Sequence, residues 1–337
     1  MSIAIHDILD IQPSPEQYIL DDKLKLAVQT ALRFNQPLLL TGEPGTGKTQ
    51  LAYKVAHQLH EQTKGNAQMA FSPKPLRFNT KTTSQARDLF YLYDAIGHFQ
   101  QANTRGEGNA TDTPLRPLSD FIELQALGLG IALANPREDY HKVFKFKEKP
   151  GPATSSVVLI DEVDKAPRDF TNDILNEIEN REFFVKEQSD YHVGLDLGLP
   201  AKNTQRLLVI MTSNSEKNLP EAFLRRCVFY NIPTPEGDRL RDILKAHLTV
   251  PQDKKQQELL DKNLSLLTDE FEMLRKKATR KSPATAELVA VVKLLSLEDG
   301  FYKKEIKDIK KIFRDNISLL IKTKEDIEAI RDFLKMP

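Results

Sequence analysis

The eight residues Gly42-Glu43-Pro44-Gly45-Thr46-Gly47-Lys48-Thr49 constrain this chain more than any other stretch. They fit the pattern G-x-x-x-x-G-K-[ST] and stand between a short apolar run, residues 38–40, and a helical stripe of Leu51, Ala52, Val55, Ala56 and Leu59. Strand, glycine loop and helix in that order let successive backbone N–H groups and a helix N-terminus face a chain of phosphates. On this reading all eight residues contact the phosphates of a nucleoside triphosphate. Lys48 neutralises the β- and γ-phosphates, and Thr49 holds a magnesium ion. The bland alternative is a glycine turn with no ligand.

A magnesium-bound triphosphate needs a second carboxylate at the end of a neighbouring strand, and Val157-Val158-Leu159-Ile160-Asp161-Glu162 supplies it. The apolar, mostly β-branched residues 157–160 have the continuous pattern of a buried parallel strand. Asp161 is the residue to orient Mg²⁺, and Glu162 the one to activate an attacking water. A solvated acidic turn is the competing reading. A third run, residues 207–211, leads into Thr212-Ser213-Asn214, whose amide is a candidate to orient that water. Residues 76–79 and 228–232 complete five expected strands, and 182–186 read as extended. Helices are expected before Asn35, over 84–100, over 120–134 and around 170–178.

Strands alternating with helices through residue 235 indicate an α/β domain with a parallel sheet, and residues 236–337 carry only helical patterns. The length of 337 residues, with 40% hydrophobic and 28% charged residues, suits a folded protein of two domains. Basic and acidic residues balance at 48 each, so no net field draws the chain to nucleic acid or to an anionic membrane. With one cysteine, Cys227, neither an internal disulfide nor a thiolate zinc cage is open to it. The longest near-apolar run, 126–134, falls far short of the about 20 residues that span a bilayer, and residues 1–10 lack the basic start and apolar core of a signal. A cytoplasmic location is expected.

The order of these motifs resembles the AAA+ ATPases: glycine loop, acidic Asp-Glu strand, a strand ending in Asn214 (sensor 1), then Leu219-Pro220-Glu221-Ala222-Phe223-Leu224-Arg225-Arg226-Cys227. Within that class, Asp161-Glu162-Val163-Asp164-Lys165-Ala166-Pro167 and residues 219–227 look like the MoxR-type branch. The resemblance covers essentially the whole chain. It implies a three-layer αβα P-loop NTPase core over 1–235 with a parallel five-stranded sheet. Branch-specific inserts fall around 101–134 and 182–206, and a helical lid follows over 236–337. It further implies ATP and Mg²⁺ as ligands, ATP hydrolysis, a hexameric ring, and chaperone-like remodelling of partner proteins, often ones with a von Willebrand factor A domain. Arg226 matches the arginine that reaches the γ-phosphate of a neighbouring subunit, with Arg225 next in line. MoxR-type relatives commonly carry Ser-Pro-Arg at the lid's sensor 2, whereas this chain reads Arg280-Lys281-Ser282-Pro283-Ala284-Thr285, with Ser282 and Pro283 expected to start a helix. Arg280 or Lys281 takes over the phosphate contact, or both are surface charge. The acidic strand also has Asp164-Lys165 where relatives often have Asn-Arg.

Other features point to no chemistry. His57 and His60 share a helix without further metal ligands, and Gly128-Leu129-Gly130 follows no strand. Lys303, Lys304, Lys307, Lys310 and Lys311 alternate with Glu305 and Asp308 as a solvated helical face does, and the chain has no tryptophan to stack on a base. Two rivals to the remodelling motor follow from the same residues. One is the NTPase subunit of a nucleic-acid-processing or restriction complex, which DNA-stimulated hydrolysis would reveal. The other is a nucleotide-gated scaffold, which the presence of Glu162 disfavours.

Overall fold

The computed structural model describes residues 14–66, 69–103, 116–145, 151–195, 205–215, 219–297 and 305–336. They form two units. One takes in Asp21–Thr41 and Leu51–Asn231; the other takes in Gly42–Gln50, Ile232–Pro337 and the described part of Met1–Leu20.

In the first unit the chain runs α1 (Asp22–Phe34), β1 (Leu38–Thr41), α2 (Lys48–Thr63, its first turn counted with the other unit), β2 (Leu76–Asn79), β3 (Tyr91–Tyr93), α3 (Ala95–Asn103), β4 (Ile122–Leu124) and α4 (Ala126–Ala134). It continues with β5 (Ser156–Asp161), α5 (Arg168–Asp173), α6 (Leu175–Asn180), β6 (Glu182–Val185), β7 (Tyr191–Gly194), β8 (Leu207–Thr212), α7 (Glu221–Leu224) and β9 (Val228–Asn231). Helix α1 illustrates how local chemistry sets the ends. The Asp21 carboxylate accepts the Leu24 N–H at 2.8 Å, Leu24, Val28 and Ala31 face inward, and Asn35 closes the helix in the left-handed region at φ 56°.

The five expected strands pair in the order β2-β5-β8-β1-β9, every pair parallel. β5 and β8 are buried along their whole length, as their unbroken apolar runs require. Their C-terminal ends therefore share one edge of the sheet, where Asn79 stands opposite Asp161. The core is filled by Leu39, Ile131, Val158, Ile160, Val209 and Met211, with Phe170 and Ile178 added from α5 and α6. Arg181, buried at the end of α6, donates to the carbonyls of Leu207 and Asn35 and so ties β8 to the turn before β1.

Three expected elements differ. The helix expected over 84–100 is a 3₁₀ turn (Ala86–Leu89), strand β3 and helix α3, because Tyr91-Leu92-Tyr93 pairs antiparallel with Ile122-Glu123-Leu124. That pairing also turns the start of the helix expected over 120–134 into β4. The helix around 170–178 breaks at Ile174, where ψ is −6°. The extended stretch at 182–186 is β6, hairpinned to β7 outside the main sheet. Part of each expected insert, 104–115 and 196–204, lies outside the described residues, as do Lys303 and Lys304.

The second unit is helical: α8 (Gly237–Ala246), α9 (Lys254–Lys277), α10 (Thr285–Leu297), α11 (Ile309–Asp315), α12 (Ile317–Leu320) and α13 (Lys324–Leu334). Leu240, Leu267, Phe271, Val292, Phe313 and Ile330 form its core. No helix among the described residues is long and apolar enough to cross a membrane.

Candidate active site

Asp161 ends β5 with its side chain almost buried, where an unpartnered carboxylate would be costly. Thr212, at the end of β8, donates its hydroxyl to Asp161 Oδ1 at 2.7 Å, and Arg77 of β2 donates Nη2 to Oδ2 at 2.7 Å. The following residue, Glu162, takes left-handed backbone at φ 58° and ψ 51°, a conformation costing a side-chain-bearing residue about 1–2 kcal/mol. Its N–H donates to the Thr212 hydroxyl at 2.8 Å, so one threonine fixes both acids, accepting from the second and donating to the first. The Glu162 carboxylate meets Lys165 Nζ at 2.5 Å with both side chains about half exposed, and this bond pushes the Lys165 ammonium up. Asn214 reaches the same place through its backbone: its N–H donates to Asp164 Oδ1 at 3.2 Å. The paired ends of β5 and β8 thus bring Asp161, Glu162 and Asn214 together.

The glycine loop lies in the helical unit. Gly45 (φ 77°) approaches Ala284 so closely that a Cβ would sit 2.7 Å from the alanine Cβ, and at Gly47 (φ 89°) a Cβ would meet the Tyr18 ring at 2.9 Å. A side chain at either position would be strained by the backbone and would have to displace that neighbour. Thr46 donates its hydroxyl to the Glu43 carbonyl at 2.8 Å, while Lys48, buried, donates Nζ to the carbonyls of Gly42 and Glu43 at 2.7 and 2.9 Å. A cavity of about 240 Å³ opens against Gly45, Thr46 and Gly47, walled chiefly by Tyr18, Ile232, Ile243 and Val289. A flat, apolar nucleobase suits such walls. His247 also lines it, bonded through Nδ1 to Gln17 Oε1 at 3.0 Å; burial, then the charge of Lys293, pushes its pKa down to about 4. Sequence reasoning misses this cavity, since its residues come from four distant segments, of which only the glycine loop carries a motif.

Thr49 and Asp161 offer hydroxyl and carboxylate oxygens, the hard donors that Mg²⁺ takes. Among the described residues no group of three or more His, Cys, Asp or Glu could hold a metal alone.

The family model of the ATPases associated with various cellular activities (AAA) matches residues 38–233, more than half of the chain and everything from β1 to β9. This chain belongs to the AAA family. It binds ATP and hydrolyses it, as that membership entails. No curated protein matches the chain. Among solved structures it is similar to the FIGL-1 AAA domain in complex with ADP, 16% identical over 95% of this chain and 89% of that one, at a TM-score of 0.43, too loose to add to the strand order itself.

In this AAA ATPase the remaining candidates are Arg226 with Arg225, in the unit that carries the sheet, and Arg280, in the helical unit. Arg226, just beyond α7, pairs through Nε with Glu179 of α6 at 3.3 Å, and Arg225 pairs with Glu221. Arg280 has an exposed side chain, and its role among the described residues is carried by its backbone: the N–H groups of Thr279, Arg280 and Lys281 donate to the Asp326 carboxylate at 2.7, 2.8 and 2.8 Å. Burial alone would raise the pKa of Asp326, but those donors and the Thr323 hydroxyl hold it well below the carboxylate range. Ser282 and Pro283 do not start the helix. α10 begins at Thr285, Ser282 instead donates to the Arg275 carbonyl, and Glu287 accepts the Ala284 N–H. Arg275, which the sequence does not single out, spans this turn, donating to the Pro283 and Pro235 carbonyls and to the Thr285 hydroxyl.

Proposed function

We propose that this AAA ATPase is a MoxR-type motor, with residues 1–235 as core and 236–337 as lid, that works as a hexameric ring to remodel or activate partner proteins, including ones with a von Willebrand factor A domain. Residues 42–49 hold the phosphates, with Thr49 and Asp161 as the protein's ligands to Mg²⁺. When bound, that ion neutralises charge on the β- and γ-phosphates. Glu162 takes the proton of the attacking water, Asn214 orients that water, and Arg226 reaches the γ-phosphate of a neighbouring copy. Arg280 touches the lid side of the nucleotide through its exposed side chain. Support for the branch comes from the hairpin β6–β7, which lies inside the expected insert at 182–206, and from β4, which lies inside the one at 101–134 and pairs back to β3.

The single observation that carries the hydrolytic reading is the Thr212 hydroxyl bonded to both Asp161 and Glu162. It fixes a buried carboxylate for the metal beside a half-exposed one for water. Lys48→Ala should lose binding of a fluorescent ATP analogue. Glu162→Gln should keep that binding while turnover falls by about 100-fold or more. Turnover by Glu162→Gln equal to wild type would remove Glu162 as the base.

A further inference from the structure

Asp161 has a second cationic neighbour in addition to any metal. Arg77 lies on β2, an edge strand, in register with Leu159, two residues before Asp161. Its side chain runs along the strand to place Nη2 at 2.7 Å from Oδ2, with the arginine side chain 43% exposed and the aspartate side chain 7%. A carboxylate offers about four lone-pair sites on its two oxygens. Thr212 bonds Oδ1 and Arg77 bonds Oδ2. Arg77 thus sets a positive charge against the carboxylate. A dication approaching the same group meets repulsion that a water or a hydroxyl would not feel.

We propose that Arg77 is a positioning residue whose charge weakens the hold of Asp161 on the divalent cation, so that the metal is taken firmly only together with nucleotide phosphates. This rests on Asp161 being the metal carboxylate. The reaction benefits because the ion must leave with the product, and a site without the counter-charge would retain it.

The test uses Mn²⁺ as probe with a non-hydrolysable ATP analogue and the full chain, reading bound ion from the loss of the free Mn²⁺ electron paramagnetic resonance signal. No turnover enters the measurement. Arg77→Gln keeps an N–H donor but drops the charge, and it should bind Mn²⁺ about fivefold or more tighter. Arg77→Lys keeps the charge and should match wild type. Raising salt should narrow the gap between Gln and wild type, since Arg77 is partly exposed. Should Arg77→Gln not fold, Arg77→Met takes its place with the same expectation. If Asp161→Asn weakens Mn²⁺ binding while Arg77→Gln is unchanged or weaker, Arg77 merely aligns the carboxylate and the inference is overturned alone. If Asp161→Asn binds Mn²⁺ as wild type does, the metal role of Asp161 fails and the inference falls with it.

Discussion

His247 shows how surroundings set a single side chain's charge. A free imidazole titrates near about 6.5, whereas burial and Lys293 push this one down to about 4. Between those values the unfolded chain binds a proton that the folded chain refuses, so folding stability falls as pH drops through that window, and above it the group has no effect. Denaturant unfolding at about pH 7 and about pH 5 should therefore show a stability difference that shrinks in His247→Asn. An unchanged difference would mean that the ring titrates normally. The same scale shows what a sequence discloses. Asp161 and Glu162 are legible because a strand end needs only its own apolar run to be recognised. Thr212 and Arg77, which bond that carboxylate from 51 and 84 residues away, are not, because strand order decides which side chains meet.

At the scale of elements, the parallel strands are legible for the same reason, and the stretch from 84 to 134 is not. Tyr91-Leu92-Tyr93 can lie on a helical face as well as in a strand, and only its pairing with Ile122-Glu123-Leu124 settles which. The lid offers a second case. Thr323 and Asp326 form a capping pair at the start of α13, the Asp326 N–H donating to the Thr323 hydroxyl and that hydroxyl donating to Oδ2. The same carboxylate gathers the three N–H groups of 279–281, joining the α9–α10 turn to α13. Asp326→Ala strips those three N–H groups of their carboxylate partner and should destabilise the chain by about 2–3 kcal/mol in denaturant unfolding. Amide exchange should quicken first at 279–281. Exchange rates there equal to wild type would show that the turn holds itself.

At the scale of the whole molecule, Arg226 is held by a half-exposed ion pair with Glu179, worth about 0–1 kcal/mol, and by a long bond from Nη1 to the Ala222 carbonyl at 3.3 Å, contacts easily given up for a phosphate. If it serves a neighbouring copy, assembly follows the γ-phosphate. Glu162→Gln with ATP and Mg²⁺ should scatter light as a larger species than with ADP, and Arg226→Ala added to Glu162→Gln should reduce the difference. A mass that stays at one subunit with either nucleotide would end the ring proposal. The division of the chain carries its own consequence. Gly42–Gln50 is counted with residues beyond Ile232 although core segments flank it on both sides. On a ribosome adding about 5–20 residues per second, the loop emerges about 10 to 50 s before Ala284, the residue that Gly45 rests against. The contact between Gly45 and Ala284 can therefore form only after the turn before α10 has left the exit tunnel, one of the last contacts the loop makes.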